Sequence, residues 1–149
     1  DAPHRLKFCQ FQSGNSTNVI ADRAHIKGSL RTFSDADFHA LRASMQALAA
    51  DAARAQGVIC HLDIHDGYPA LVNDAALLET AAAHLPIERI PESSFLGEDF
   101  SFIARRVPAV MFRLGLGTDI PLHAATFDFD ERALVPGVHL FQTLAKMEA

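Results

Sequence analysis

The first part of the chain alternates apolar and polar residues with a period of two. Leu6–Gln12, Ala24–Phe33 and Val58–Ile64 all show this alternation. A period of two matches the spacing of side chains on one face of a β-strand. The pattern therefore predicts three strands, which we expect to form an antiparallel sheet.

The alternation also assigns faces within the first predicted strand. Leu6 and Phe8 are predicted to share one face, whereas Lys7 and Phe11 are predicted to lie on the other. Successive side chains of a regular strand point to opposite faces, so this assignment assumes an uninterrupted strand.

A helix is predicted between the second and third strands, over Asp35–Gln56. Ser34 is a favourable N-cap, the first turn is acidic, and Gly57 is a typical C-terminal stop. The apolar positions recur at helical spacing, which predicts one face packed on the sheet. These positions are Phe38, Leu41, Met45, Leu48 and Ala52.

The second half of the chain has longer apolar runs, and the change in pattern places a boundary near Val72. Capping residues, proline positions and apolar periodicity predict three helices and one strand buried on both faces. These are a helix Ala75–His84 capped by Asn73 or Asp74, a short helix Glu98–Arg106 with Phe102 and Ile103 inward, a strand Val107–Leu114, and a helix from Pro136 to Met147.

Composition narrows the function classes. The 149 residues carry a net charge of −5 and are 49% hydrophobic, which is typical of a globular protein. No basic stripe suits a phosphate backbone, and no apolar run approaches the roughly 18 residues of a membrane span, so we expect neither nucleic-acid nor membrane binding. With only Cys9 and Cys60, reduced thiols and a cytoplasmic location are expected.

Three groups of motifs occur in a fixed order along the chain. They are Gly14–Asp22 (GNSTNVIAD) with Gly28–Phe33 (GSLRTF), then Gly67–Asp74 (GYPALVND), and then Gly97–Phe102 (GEDFSF) with Pro121–Glu131 (PLHAATFDFDE). Together they resemble the C-terminal part of the aminoacylase/carboxypeptidase-like metallopeptidases. They resemble in particular the branch with hippurate hydrolase, indole-acetyl-amino-acid hydrolases and N-acetyl-diaminopimelate deacetylase.

The resemblance implies an α/β enzyme of two domains. Residues 1–72 would be part of a lid and dimerisation domain, which has an antiparallel sheet with helices on one face. Residues 73–149 would supply the C-terminal strand and helices of a catalytic domain that holds two divalent metals. The chain starts with Asp1 rather than methionine and soon enters a predicted strand, so we expect it to be truncated relative to the family.

The resemblance implies one metal ligand in this chain, His123. A neutral imidazole suits zinc, manganese, cobalt or nickel, so the sequence does not choose among them. A catalytic zinc normally has three protein ligands. The family's other ligands and its catalytic glutamate lie upstream, so we assign no general base. We expect this chain alone to hold little or no metal and to be inactive.

The resemblance also implies substrate contacts at Asn18 and Arg31. An arginine suits a substrate carboxylate, and an asparagine amide can donate to a developing oxyanion. Gly115 and Gly117 are candidates for close backbone approach to substrate. The structural alternatives are a turn-forming asparagine, a solvent-facing arginine and ordinary turn glycines.

Glu98 and Asp99 are adjacent acids at a predicted helix N-terminus. In the family the matching pair lies near the active-site cleft, which implies a role in orienting the site. The structural alternative is favourable electrostatics with the helix dipole.

The function implied is metal-dependent hydrolysis of the amide bond of N-acyl amino acids or small peptides by the parent enzyme. The alternative is a non-catalytic fragment whose main property is self-association through the lid sheet, because exposed sheet edges pair readily. Either reading predicts a partner, which is a second copy or an N-terminal half.

Overall fold

The computed structural model describes residues 3–147 and has a mixed α/β fold with helices and an antiparallel sheet. Two residues at each end, Asp1 and Ala2 of the first predicted domain and Glu148 and Ala149 of the second, lie outside the described residues. The predicted fold class is confirmed. The strands are β1 (His4–Ser13) and β2 (Ala24–Thr32), and the helices are α1 (Asp35–Gln56), α2 (Ala75–His84), α3 (Phe100–Ala104) and α4 (Leu134–Leu144).

The sheet consists of β1 and β2, which pair antiparallel from His4 opposite Thr32 to Ser13 opposite Ala24. The register shifts between Phe8 and Gln10, so Cys9 forms a β-bulge. Because of the bulge, Phe8 and Phe11 both lie on the face of Gly28 and Ile26. The predicted placement of Phe11 with Lys7 was therefore wrong.

The two faces of this sheet differ in chemistry. The register and the alternation of side chains put Leu6, Phe8, Phe11, Ile26 and Leu30 on one side, here called the apolar face. They put Arg5, Lys7, Lys27 and Arg31 on the other, here called the basic face. Neither strand contains an aspartate or glutamate.

Gly28 lies where the strands approach closely. A Cβ on Gly28 would come within 2.3 Å of the Lys7 carbonyl oxygen and 3.0 Å of Phe8 Cδ1. The contact is with backbone, which cannot rotate away as a flexible side chain would, so the pairing requires glycine here.

α1 has the predicted bounds and follows β2 after a two-residue turn. The Ser34 hydroxyl accepts a hydrogen bond from the Asp37 amide at 3.1 Å, and Gly57 ends the helix with φ of 64°. Asp35 reaches back to the chain after the helix, since its Oδ1 accepts a hydrogen bond from the Ala70 amide at 3.2 Å. α1 contacts β2.

Two predicted strands are not strands in the structure. Val58–Ile64 and Val107–Leu114 make no ladder with another strand in the described part of the chain. A strand requires a neighbour to satisfy its backbone groups, and alternation alone does not supply one. The second segment instead makes isolated bonds, from the Asp74 amide to the Ala109 carbonyl at 2.9 Å and from the Met111 amide to Asn73 Oδ1 at 3.0 Å.

The later helices follow the predicted order with altered bounds. α2 begins after Asp74, whose Oδ1 accepts from the Leu77 amide at 2.8 Å. α3 is shorter than predicted, and its inward residue is Ser101, with no exposed surface, whereas Phe102 and Ile103 are about half exposed. The predicted inward pair was therefore wrong. α4 starts two residues earlier than predicted, after a 3-10 turn at Glu131–Ala133, and ends at Leu144.

The chain divides into two compact units by its contacts. The first runs to Leu71 and includes Pro91–Phe102, and the second comprises Val72–Ile90 and the chain from Ile103 onward. Few side chains are buried: among the described residues the buried apolar ones are Ala81 and Ala109. No helix in residues 3–147 combines the length and apolar character that a membrane span needs.

Candidate functional site

Arg31 is held in place from two sides in the first unit. Its backbone belongs to β2, and its Nη1 donates a hydrogen bond to the Phe95 carbonyl oxygen at 2.5 Å. The side chain is otherwise exposed, and among residues 3–147 it has no carboxylate partner. A guanidinium carries five N–H donors, so most of them remain available to a ligand.

The segment from Phe95 to Gly97 packs closely around Arg31. The Phe95 ring stacks on Phe33 with centroids 4.1 Å apart. A Cβ on Gly97 would lie 3.1 Å from Tyr68 Cδ2 and 3.9 Å from Arg31 Nη1. Glycine at this position therefore lets the loop approach the tyrosine ring closely, while the Arg31 guanidinium lies at ordinary van der Waals distance.

Tyr68 completes the aromatic surroundings of this loop. Its ring meets Phe102 edge to face, with centroids 6.0 Å apart. Tyr68 comes from the Gly67–Asp74 motif and Gly97 from the Gly97–Phe102 motif, so the fold of the first unit brings two of the separated sequence motifs to Arg31.

Arg5 is a second guanidinium beside the same loop. It is the cross-strand partner of Arg31 in the β1–β2 register. Its Cζ lies 4.8 Å from the centroid of the Phe95 ring, which is a cation–π distance. Phe95 therefore contacts both arginines, one through its ring and one through its carbonyl oxygen.

Glu98 and Asp99 open α3. The Glu98 carboxylate accepts from the Phe100 amide at 3.4 Å, and its carbonyl oxygen accepts from the Ser101 hydroxyl at 2.6 Å. The Asp99 carbonyl accepts from the Phe102 amide at 2.9 Å. These contacts are those of helix capping, and the half-buried Glu98 side chain lies next in sequence to Gly97.

Asn18 lies in the exposed loop between the two strands. Its Oδ1 accepts a hydrogen bond from the Ser16 hydroxyl at 2.8 Å. The bond occupies the acceptor end of the amide and fixes its orientation. Its Nδ2 hydrogens have no acceptor within the described residues, which leaves the donor end available.

His123, Gly115 and Gly117 belong to the second unit. His123 is exposed in a turn that is closed by the Ala124 amide donating to the Pro121 carbonyl at 2.9 Å. Gly117 has φ of 66°, so it serves as a left-handed turn residue. A Cβ on Gly115 would meet nothing within 4 Å.

The donor set of the described residues does not make a metal centre. No group of three or more histidine, cysteine, aspartate or glutamate side chains converges anywhere in residues 3–147. His123 offers one imidazole, whereas a catalytic zinc needs about three protein ligands. A resident metal would therefore need ligands beyond those that this part of the chain brings together.

Two other features lie near the predicted motifs. The Arg132 guanidinium, which forms hydrogen bonds with Asp130, lowers the pKa of that carboxyl below its ordinary range. An open depression in the second unit is lined by residues 72–75 and 104–109, and it contains none of the predicted site residues.

The sequence interpretation missed Arg5, Tyr68 and Phe95. The signal for Arg5 was available, because a hairpin register that pairs the strand ends places it opposite Arg31. Phe95 had no comparable signal, since its position depends on a contact 64 residues away along the chain.

Comparison with known proteins identifies the class to which this fold belongs. The family model "Peptidase family M20/M25/M40" matches residues 9–147, and the chain therefore belongs to this family. The predicted resemblance to the aminoacylase-like metallopeptidases is confirmed.

Relatives and solved structures give the same result. The chain is 31% identical over 148 residues to a probable hydrolase of Synechocystis sp., covering 91% of this chain and 38% of the relative. It is 32% identical over 143 residues to the N-acetyldiaminopimelate deacetylase of Lacticaseibacillus casei, covering 89% of this chain and 37% of that enzyme. The chain thus spans under two fifths of the length of these relatives.

Among solved structures, the Bacillus subtilis YXEP protein superposes with a TM-score of 0.81 and 29% identity. The match covers 95% of this chain and 41% of that protein, which is described as a dinuclear metal-binding peptidase of the M20 family. A putative aminohydrolase from methicillin-resistant Staphylococcus aureus superposes with a TM-score of 0.74 and 25% identity.

Proposed function

We propose that this chain acts within an amidohydrolase that cleaves the amide bond of N-acyl amino acids or small peptides. The observation that carries the proposal is the exposed guanidinium of Arg31, held by the Phe95 carbonyl at 2.5 Å and adjacent to Gly97. Family membership and a relative named as a deacetylase support hydrolysis of an acyl amide.

In this proposal Arg31 binds the carboxylate of the amino-acid part of the substrate. Its remaining N–H donors suit the two oxygens of a carboxylate, and fixing the guanidinium beforehand reduces the entropy lost on binding. Asn18 donates from Nδ2 to the oxygen of the scissile carbonyl, and the bond from the Ser16 hydroxyl to its Oδ1 orients the amide.

The proposal assigns His123 as one ligand of a divalent cation, with zinc, manganese, cobalt and nickel as the candidates. The turn at Pro121–Ala124 presents the imidazole to solvent. The remaining ligands and the general base come from outside the described residues, so no catalytic step is assigned to this chain's own groups. Glu98 and Asp99 position the loop beside Arg31 rather than act as bases. In the same proposal Gly115 and Gly117 let the backbone approach the substrate.

Residues 1–72 are proposed as part of a lid domain and residues 73–149 as part of a catalytic domain. The contact units change at Leu71 and Val72, which supports this division. Residues 91–102 belong with the first unit, however, and they carry the loop that holds Arg31.

Steady-state kinetics with an N-acetyl amino acid tests the proposal. The assay uses a preparation in which this chain is present together with the polypeptide segment that supplies the remaining metal ligands. Arg31→Ala should raise KM by about tenfold or more and change kcat little, because it removes binding shared by the ground and transition states. Arg54→Ala, an exposed arginine on α1, serves as the matched control. Unchanged kinetics in Arg31→Ala, or no hydrolysis of any N-acyl amino acid by the wild type, would contradict the proposal.

A second candidate function is self-association through the β1–β2 sheet. The apolar face supports it, because Phe8 and Phe11 are each 66% exposed. Apolar side chains grouped on one sheet face commonly mark a contact surface. This reading proposes a homo-oligomer rather than a catalytic role, and the two functions are compatible in one protein.

A further inference from the structure

Phe33 connects the strand that carries Arg31 with the loop that holds the Arg31 side chain. That loop, residues 91–97, forms neither helix nor strand, so no ladder fixes the Phe95 carbonyl oxygen, which accepts from Arg31 Nη1 at 2.5 Å. The Phe95 ring stacks on Phe33, with ring centroids 4.1 Å apart and ring planes inclined by 26°. The stack therefore restrains the residue whose carbonyl holds Arg31.

Phe33 itself is restrained, because it lies in the turn between β2 and α1. The Thr32 hydroxyl donates to the Ser34 carbonyl oxygen at 2.8 Å, and Ser34 caps α1. These bonds involve the residues on both sides of Phe33. Phe33 thus offers Phe95 a surface whose position is set by the sheet and the helix rather than by the loop.

The Phe95 ring contacts both Phe33 and Arg5, and the surroundings favour the stack on Phe33 as the stronger contact. Both rings are half-buried, so their contact also removes apolar surface from water. The Arg5 guanidinium lies 4.8 Å from the Phe95 ring centroid, but Arg5 is exposed, and cation–π contacts are weaker at exposed sites. Loss of the Phe33 ring should therefore release Phe95 even though Arg5 remains.

We propose that Phe33 is a positioning residue, which fixes the Arg31 guanidinium through Phe95 before a ligand arrives. An arginine side chain has many rotamers, and a guanidinium that is already ordered loses less entropy on binding. The predicted effect on affinity rests on the proposed carboxylate-binding role of Arg31. The predicted effect on the mobility of Arg31 does not depend on that role.

NMR of the 149-residue chain measures the mobility of Arg31 directly. The heteronuclear NOE of its Nε–Hε group, assigned with Arg31→Gln, reports picosecond-to-nanosecond motion and should be high in the wild type. Phe33→Leu keeps an apolar side chain without the ring, and the NOE should fall toward the value of Arg54, an exposed arginine on α1. Phe33→Tyr keeps the ring and should retain the wild-type NOE.

Titration with N-acetylglycine, followed through the amide resonances of β2, measures the effect on binding. Phe33→Leu should raise the Kd about fivefold, because one long side chain must then be ordered when the ligand binds. Phe33→Tyr should leave the Kd within about twofold of the wild-type value. Cross-strand NMR contacts between β1 and β2 in each variant show whether the sheet is intact.

Phe95→Leu is an independent variant, because it removes the other ring of the stack and keeps the backbone carbonyl that accepts from Arg31. It should match Phe33→Leu in both NOE and Kd. The double variant should differ from either single variant by less than about twofold in Kd, since all three lack the same stack. Phe38→Leu, which changes another half-buried phenylalanine of the first unit, is the matched control and should alter neither quantity.

An unchanged Arg31 NOE in Phe33→Leu and Phe95→Leu would overturn the inference, as would an equal loss of order in Phe38→Leu. Failure of Phe33→Tyr to retain the wild-type values would also overturn it, because the ring would not be the relevant group. If Phe33→Leu loses the cross-strand contacts, Phe95→Leu decides. Release of Arg31 by Phe33→Leu without measurable binding of N-acetylglycine to the wild type would uphold the positioning and count against the proposed role of Arg31.

Discussion

Gly28 lies against the backbone of Lys7 so closely that a methyl group would come within 2.3 Å of the Lys7 carbonyl oxygen. Gly28 opens the GSLRTF segment, which also carries Arg31. The same strand therefore combines a steric constraint on pairing with the residue proposed to bind substrate.

This contact predicts the effect of Gly28→Ala. The substitution should lower the free energy of unfolding by about 1–3 kcal/mol, because the backbone of β1 or β2 must shift to admit the methyl group. Urea unfolding followed by circular dichroism measures the change. Gly67→Ala is the matched control, since a Cβ there would meet nothing within 4 Å. Equal stability of the two variants would show that the strands are farther apart than described.

Metal binding by the isolated chain is expected to be weak. His123 offers one neutral nitrogen, and the described residues bring no group of three or more ligands together. Less than one equivalent of zinc or manganese should remain after dialysis, and hydrolysis of N-acyl amino acids should be undetectable. Metal analysis and turnover of the purified chain provide the measurement. Stoichiometric metal with robust turnover would show that the isolated chain contains a complete active site, contrary to the proposal.

In an active preparation that supplies the remaining metal ligands, His123→Ala should remove most of the activity and the bound metal. Changing a residue that only supports a metal ligand typically lowers metal affinity by about 10–100-fold. Loss of a ligand itself should lower the affinity by more than that. His139→Ala, an exposed histidine on α4, is the control. Equal metal content in both variants would remove His123 from the ligand set.

Self-association is expected through the apolar face of the sheet. Light scattering should show a dimer or larger assembly, because Phe8 and Phe11 are each 66% exposed on one side of β1. Phe8→Ser with Phe11→Ser should shift the population toward monomer. Ile20→Ser is the control, since Ile20 is 97% exposed but lies in the loop between the strands. A monomer at all concentrations would contradict this reading.

Asp130 should titrate below the ordinary range of an aspartate. Its hydrogen bonds with Arg132 lower the pKa in the folded state, so the pair favours folding above the unfolded pKa. That contribution is lost as the pH falls through the folded pKa. Carboxyl-carbon NMR should show Arg132→Gln returning the pKa of Asp130 toward its ordinary value, whereas Arg106→Gln should not. Identical titration curves would mean that the pair does not persist in solution.

Local signals predicted the helices better than the sheet. Ser34, the acidic first turn and Gly57 defined α1 to the residue, because each cap acts through bonds within a few residues. Val58–Ile64 alternates as regularly as β2 does, but its state depends on a neighbour that alternation does not reveal. Strand formation is a property of a pair, whereas helix capping is a property of one segment.

The residues of the candidate site also divide into those that local sequence motifs identify and those that depend on distant contacts. Arg31 and His123 were identified from motifs that are contiguous in sequence. Phe95, which holds Arg31, was not, because its contact joins segments 64 residues apart. The exposure of Phe102 and Ile103 was mispredicted for a related reason: a helix of five residues has too few turns for its periodicity to define a buried side.

Cys9 is a single extra residue in β1, and the pairing register between β1 and β2 differs by one residue on its two sides. Before it, odd-numbered positions such as Arg5 and Lys7 lie on the basic face, and after it even-numbered positions such as Gln10 do. Regular pairing of β1 without the bulge would place Cys9 opposite Lys27 and carry Phe11 from the apolar face to the basic face, whereas deletion of Cys9 would leave Phe8, Gln10 and Phe11 on their present faces. The extra residue in β1, as well as its composition, thus determines which of its side chains share a surface with Arg31.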